Sequence, residues 1–470
     1  MGDAKARRGK TSPVPAGTIH RSIRLLADAL EDLGASVSLR DTERMAIMIN
    51  EAMSAGARSF HTPEHVFALV DSGNPHSTLA ALFHDLVYYQ VDQGFIPAIA
   101  QAVQGAIETR GSELWLRPAD SKDRGLAICM AVFGLRPGDQ LSPFGGMNEF
   151  LSALVMHRNL DGVLKEKDLV PATACIEATI PFRKADAAGR TPAVLLETRL
   201  TEASAALGLS LSRRGVEQIV QGAVLFANRD VANFAEAEVT RFLDNTWKLL
   251  PESNPSLRTQ GMYSIRSYRV ALQKMNGFLR GLDPSTIFAQ YHGAPAEAEY
   301  QLIVERGRRN ITTAREYLGI KLLTAAVLEA LADLSGGDTP MALFMGDIGA
   351  TQPGSRLEDY LPDPPAEVTD RLDATLHDLL AHGRASASSF DLQNSPLSLF
   401  VYRHLGSAGY HDLLEAAHAL FSGSLAPQAF LDSLPADMVA GIAEGCAQMA
   451  YTRSRELFAY AEQRRRTVGA

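Results

Sequence analysis

Residues 20–34 read HRSIRLLADALEDLG, with Ile23, Leu26, Ala27 and Leu30 recurring at three- and four-residue intervals before a glycine at position 34. That spacing puts the apolar side chains on one helix face and predicts a helix stopped by Gly34. The same periodicity returns in RTPAVLLETRLTEASAALGL (190–209), EAEVTRFLDNTWKLL (236–250), ITTAREYLGIKLLTAAVLEALADL (311–334) and DMVAGIAEGCAQMAYTRSRELFAYAEQRRR (437–466). Strand-like runs are few and short, so the expected fold class is all-α. The basic end of the last segment reads as a solvated helix terminus, where cations are favoured by the helix dipole.

The 470 residues can bury at least one large core, and 46% hydrophobic with 21% charged residues is an ordinary balance for a folded chain. No apolar run approaches the roughly 20 residues that cross a bilayer, so no membrane partner is expected. A net charge of −9 argues against nucleic acid as the main partner, because that task normally takes a basic face. Three scattered cysteines offer neither a disulfide framework nor a thiolate metal site, which points to a reducing, cytoplasmic setting. Residues 1–19 contain basic residues with no apolar segment behind them and read as a disordered lead-in. Proline- and glycine-rich breaks fall at residues 134–146, 250–261, 291–297 and, longest, 335–367, the expected linker.

Chemistry concentrates early. FHTPEHVFALV (60–70) is followed by LAALFHDLVYY (79–89), which brings His61, His65, His84 and Asp85 into a short, otherwise apolar part of the chain. His61 and His65 are four apart, one helical turn, but Pro63 belongs in a first turn, so His61 is expected at the helix start and His65 inside it. A His-Asp doublet at the end of an apolar helix is costly unless each group is paired or bound to a cation. A lone histidine on an apolar helix is ordinarily a satisfied core residue. The combination of His-x-x-x-His with a later His-Asp favours a metal site instead.

These two stretches resemble the metal-dependent phosphohydrolases of the HD superfamily. Further pieces follow in the family's order: MNEFLSAL (147–154), CIEATIP (175–181), FANRDVANF (226–234) and YSIRSY (263–268). The resemblance implies an HD-type helical bundle over residues 20–290, with an insertion at about 93–146. Residues 291–470 form an additional C-terminal helical region that resembles nothing we can name. It also implies a divalent metal (Mn, Mg, Fe, Ni or Zn) held by His65, His84, Asp85 and Asp230. Asp92 is the nearer alternative for the distant aspartate, since Asn228 replaces the first Asp of the family's Asp-x-Asp pattern. Asp85, His61 and Glu149 are the implied catalytic residues: Asp85 ligates and orients water, His61 supports the ligands or meets substrate, and Glu149 orients or acts as base. Arg183 stands where short members place a histidine, and with Arg266 it is the expected phosphate binder.

The function implied is hydrolysis of a small phosphorylated substrate, such as a nucleotide, by a metal-activated water; a homo-oligomer is compatible with it. The alternative is a non-catalytic HD-type regulatory or scaffolding protein that binds a metal or nucleotide. Alarmone pyrophosphohydrolases carry acids just after His-Asp, whereas the next acid here is Asp92. Di-iron oxygenases need further histidines, and only His157 lies between the doublet and Asp230. A phosphate-binding GxxxxGK[ST] loop and a G-x-S-x-G elbow are both missing from the sequence.

Overall fold

The computed structural model describes residues 17–71, 73–120, 122–259, 261–346, 354–363 and 372–466. The chain is predominantly helical and divides into two compact units, residues 1–229 with 290–294 and residues 230–289 with 295–470. The expected 20–290 domain therefore spans the first unit and part of the second. Most of the expected lead-in lies outside the described residues, and its last two residues already belong to the first helix.

Helices of the first unit are α1 (Thr18–Asp32), α2 (Leu39–Met53), α3 (Pro63–Leu69), α4 (Pro75–Phe83), α5 (Tyr89–Asp92), α6 (Pro97–Val103), α7 (Arg124–Phe133), α8 (Met147–Asn159), α9 (Glu166–Ala178), α10 (Pro192–Leu207) and α11 (Arg213–Asp230), whose last residue marks the boundary with the second unit. In α1 the buried face is Ser22, Leu26, Ala29 and Leu30, so Ala29 takes the place expected for Ala27, which is exposed. Ser22 is tolerated there because Asn50 of α2 donates to its hydroxyl at 2.9 Å. Gly34 ends the helix as expected: at φ +73° its amide donates to Glu31 O at 2.9 Å while Ala35 N donates to Leu30 O at 2.9 Å, the paired bonds of a glycine stop.

The expected insertion holds α6, α7 and an antiparallel sheet that the helical periodicity did not announce. Its strands are β1 (Ile107–Arg110), β2 (Glu113–Leu116) and β3 (Gln140–Leu141), in the order β1-β2-β3. Arg110 pairs with Glu113 across a two-residue turn in which Gly111 takes φ +63°, a conformation that suits a tight hairpin.

The second unit contains α12 (Val239–Ser253), α13 (Ile265–Gly281), α14 (Glu297–Ser335), α15 (Met341–Met345), α16 (Ala374–His382), α17 (Pro396–Phe421), α18 (Pro427–Asp432), α19 (Ala436–Met449) and α20 (Ser454–Arg466). From Tyr317 to Ala332 every residue of α14 is buried, which marks it as the unit's central helix. Of the expected linker, residues 347–353 and 364–367 lie outside the described residues, and the remainder carries α15 and a 3₁₀ turn, Leu357–Tyr360. The basic end of α20 is not wholly solvated. Arg464 is buried, pairs with Asp432 at 2.7 Å and donates to the Leu431 and Leu434 carbonyls.

Candidate metal centre

Helix α4 is started by Asn74, whose side-chain oxygen accepts from Ser77 N at 3.1 Å, and by Pro75 in the first helical position. Ser77 to Phe83 are all buried. Leu79, Leu82 and Phe83 are each at most 1% exposed, and burying each side chain contributes about 1.5–3 kcal/mol. This packing fixes the helix end, where His84 sits with helical backbone and 1% exposure. Its Nδ1 lies 3.0 Å from the Ala81 carbonyl. A carbonyl only accepts, so Nδ1 carries the proton and Nε2 of the neutral ring presents a lone pair.

That Nε2 faces Asp85 Oδ2 at 3.0 Å, and His65 Nε2 lies 3.6 Å from the same oxygen. With His84 neutral, a lone pair is set against a carboxylate; a second proton or a shared cation relieves the repulsion. Burial alone would raise the Asp85 pKa, but His84, His61 and His65 together hold its carboxyl well below the usual range.

His65 lies in the first turn of α3, after Thr62 at the N-cap and Pro63 at the first helical position. His61 precedes the helix, its ring edge-on to Tyr88 at 4.8 Å and to His65 at 5.7 Å. The His65 and His84 rings are 5.6 Å apart.

Asp230 arrives at the end of α11. Phe226 sets its ring edge-on to His84 at 5.9 Å. Arg229 bonds Asp71 at 3.0 Å and the Ser77 hydroxyl at 2.7 Å, which ties the end of α11 to the start of α4. Ligand atoms of His65, His84 and Asp230 thereby lie within 4.8 Å of one another. Two imidazoles and a carboxylate, with Asp85 alongside, form a mixed nitrogen and oxygen donor set that suits Mn, Fe, Ni or Zn better than Mg.

Asp92 is engaged elsewhere. The buried Arg58 grips both its oxygens, at 3.0 and 2.6 Å, and also donates to the Asp85 carbonyl at 2.7 Å and the Leu86 carbonyl at 3.3 Å. Arg58 thus clamps the backbone just after the His-Asp doublet. Sequence reasoning missed it; the only signal is a lone arginine in the loop just before the histidine stretch. The Asn-Glu-x-x-Ser segment does related work. Asn148 accepts from Tyr89 N at 3.1 Å and Ser152 from Val87 N at 3.0 Å, one turn apart on α8. Glu149 between them is half-buried and outside the three-residue cluster.

Both expected phosphate binders are paired with carboxylates. Arg183 pairs with the fully buried Glu177 at 2.6 and 3.2 Å, and Arg199 shares that carboxylate. Arg266 belongs to the second unit, where Glu329 at 3.2 Å and Asp333 at 3.4 Å take it up. His157 is buried, with Nε2 2.8 Å from the Thr173 hydroxyl.

Comparisons with protein-family profiles, with characterised proteins and with solved structures return no match to this chain. The HD resemblance accordingly stands on the ordered motifs alone.

Proposed function

We propose that the chain is a metal-dependent phosphohydrolase of the HD type, acting on a small phosphorylated molecule. The observation that carries this reading is the convergence of His65, His84 and Asp230, together with the turn of His84 Nδ1 to a backbone carbonyl that leaves Nε2 facing a carboxylate. His65, His84 and Asp230 would hold a divalent cation, which when bound would offer positive charge to a phosphoryl oxygen and lower the pKa of water. Asp85, whose Oδ2 lies 3.0 Å from His84 Nε2 and 3.6 Å from His65 Nε2, would accept a hydrogen bond from the attacking water and orient it. His61 supports the Asp85 charge from the edge of the cluster. Arg58 keeps the doublet's backbone in register by holding the Asp85 and Leu86 carbonyls.

The test is metal content followed by turnover. Purified protein should hold about one equivalent of Mn, Fe, Ni or Zn, and His84→Ala or Asp230→Ala should lose it. A phosphoester panel should show turnover that disappears in the same variants. Protein that stays metal-free after incubation with these ions, with unchanged stability in both variants, refutes the site.

A second reading, a non-catalytic metal or nucleotide binder, is favoured by one observation: Arg183 and Arg266 are both committed to carboxylates. Metal retention without turnover of any ester selects it.

A further inference from the structure

The second unit contains a cavity, partly open to solvent, bordered by α14, α15 and the segments carrying Glu358 and Asp391. One side of it is a saturated ionic cluster. Lys321 Nζ donates to Asp391 Oδ2 at 2.8 Å and to the Ser395 hydroxyl at 3.1 Å. Trp247 Nε1 and the Tyr268 hydroxyl donate to the same Asp391 oxygen at 2.8 and 3.0 Å, and Leu392 N donates to the other at 3.0 Å. Arg384 stands behind this set, 3.5 Å from Asp391 Oδ2.

Glu358 lines the same cavity and is unlike them. Both its carboxylate oxygens are buried, and neither accepts a hydrogen bond from another residue. Its segment is not free to withdraw, because it lies against two glycines one turn apart on α19. A Cβ at Gly441 would come within 2.8 Å of Pro362 Cδ, and one at Gly445 within 3.2 Å of Leu357 Cδ1. Burial pushes the Glu358 pKa up, opposed only in part by its own backbone amide and by the nearby charges of Arg356 and Lys321. An orphaned buried carboxyl is expensive, and such groups ordinarily have a partner.

The space in the cavity that the centre of a water-sized sphere can occupy is about 60 Å³, room for about four waters or for a small ligand. Ala325, Leu328, Met345 and Leu397 supply apolar wall. Among the charged residues that line the cavity, Lys321 and Arg356 are offset by Asp391 and Glu358, so a donor from another molecule to Glu358 need not be cationic.

We propose that this cavity is a small-molecule site for a ligand with an N–H donor head, an amine or a primary amide, on a short apolar body, with Glu358 receiving the head. The site belongs wholly to the second unit and is independent of the metal centre.

The test uses the full chain and three probes of matched body: n-butylamine, butyramide and butyrate, followed by ligand-observed NMR and thermal shift. Butylamine, butyramide or both should bind at least about tenfold more tightly than butyrate. The first two probes separate a cationic from a neutral donor. Glu358→Gln should weaken the preferred probe by about tenfold or more without lowering Tm, since it removes an unpartnered charge. Ala325→Leu, which fills the cavity, should abolish binding. The proposal is overturned if no probe binds at about 10 mM, if butyrate binds as well as the donors, or if both variants bind like the wild type. A fall in Tm in Glu358→Gln with no change in binding overturns it too.

Discussion

Acidification should destabilise this protein through His157 by an amount its surroundings set. The ring is 3% exposed. Thr173 gives its hydroxyl proton to the Leu169 carbonyl at 2.8 Å, so it can only accept from His157 Nε2, and the neutral ring is thereby held as the Nε2–H form. Burial pushes its pKa down to about 4, opposed only in part by the carboxylates of Glu166 and Asp123. In the unfolded chain the same ring titrates near 6.5. Because the folded value is the lower one, the contribution to stability is fully present above pH 6.5 and is lost as pH falls toward 4. The gap of about 2.5 units is worth about 3 kcal/mol. The assay is urea unfolding of wild type and His157→Gln at pH 7.5, 5.5 and 4, where the glutamine amide keeps a donor for Thr173. Comparing the two proteins cancels the carboxylates common to both. Wild type should lose about 3 kcal/mol more than the variant between the extremes, and NMR of labelled histidine should show the His157 ring still neutral at pH 5.5. Parallel declines in the two proteins, or a His157 midpoint near 6.5, would refute the reasoning.

Two further outcomes follow from contacts the structure makes specific. Arg58→Met strands Asp92 and releases the Asp85 and Leu86 carbonyls, and breaking such a pair should cost about 3–5 kcal/mol, read by denaturation, with metal retention falling alongside. Gly146→Ala drives a Cβ into Ile180 Cδ1 at a residue with φ +86°, so it should destabilise by about 2–4 kcal/mol, and Ile180→Ala in the same chain should recover only the steric part.

The helices were legible because burial on one face imposes its period on the residues themselves, as in α1. Even there Ala29 replaced Ala27, since which side of the stripe faces inward depends on the neighbour it meets. The small sheet was not legible: Glu113–Leu116 is four residues long, too short for alternation to stand out against helical surroundings. His65 and His84 were legible for a local reason, each being placed by a helix whose start is written in Asn74-Pro75 or Thr62-Pro63. The arginines were not. Sequence displays a guanidinium without the carboxylate it will meet, and Arg183 with Glu177 or Arg266 with Glu329 exist only after folding.

Availability, rather than presence, separates the two aspartates that competed for the distant position. Asp92 is closer along the chain, yet Arg58 takes both its oxygens. Asp230 follows Arg229, and successive residues of a helix diverge by about 100°. Arg229 turns toward Asp71 and Ser77, and by binding them it docks the end of α11. The neighbouring residue is then carried to His84 and His65 by the same contact. The Asn-Arg-Asp run, which looked like a degraded pattern, therefore contains its own positioning device: the cation that fastens the helix stands directly before the carboxylate it presents.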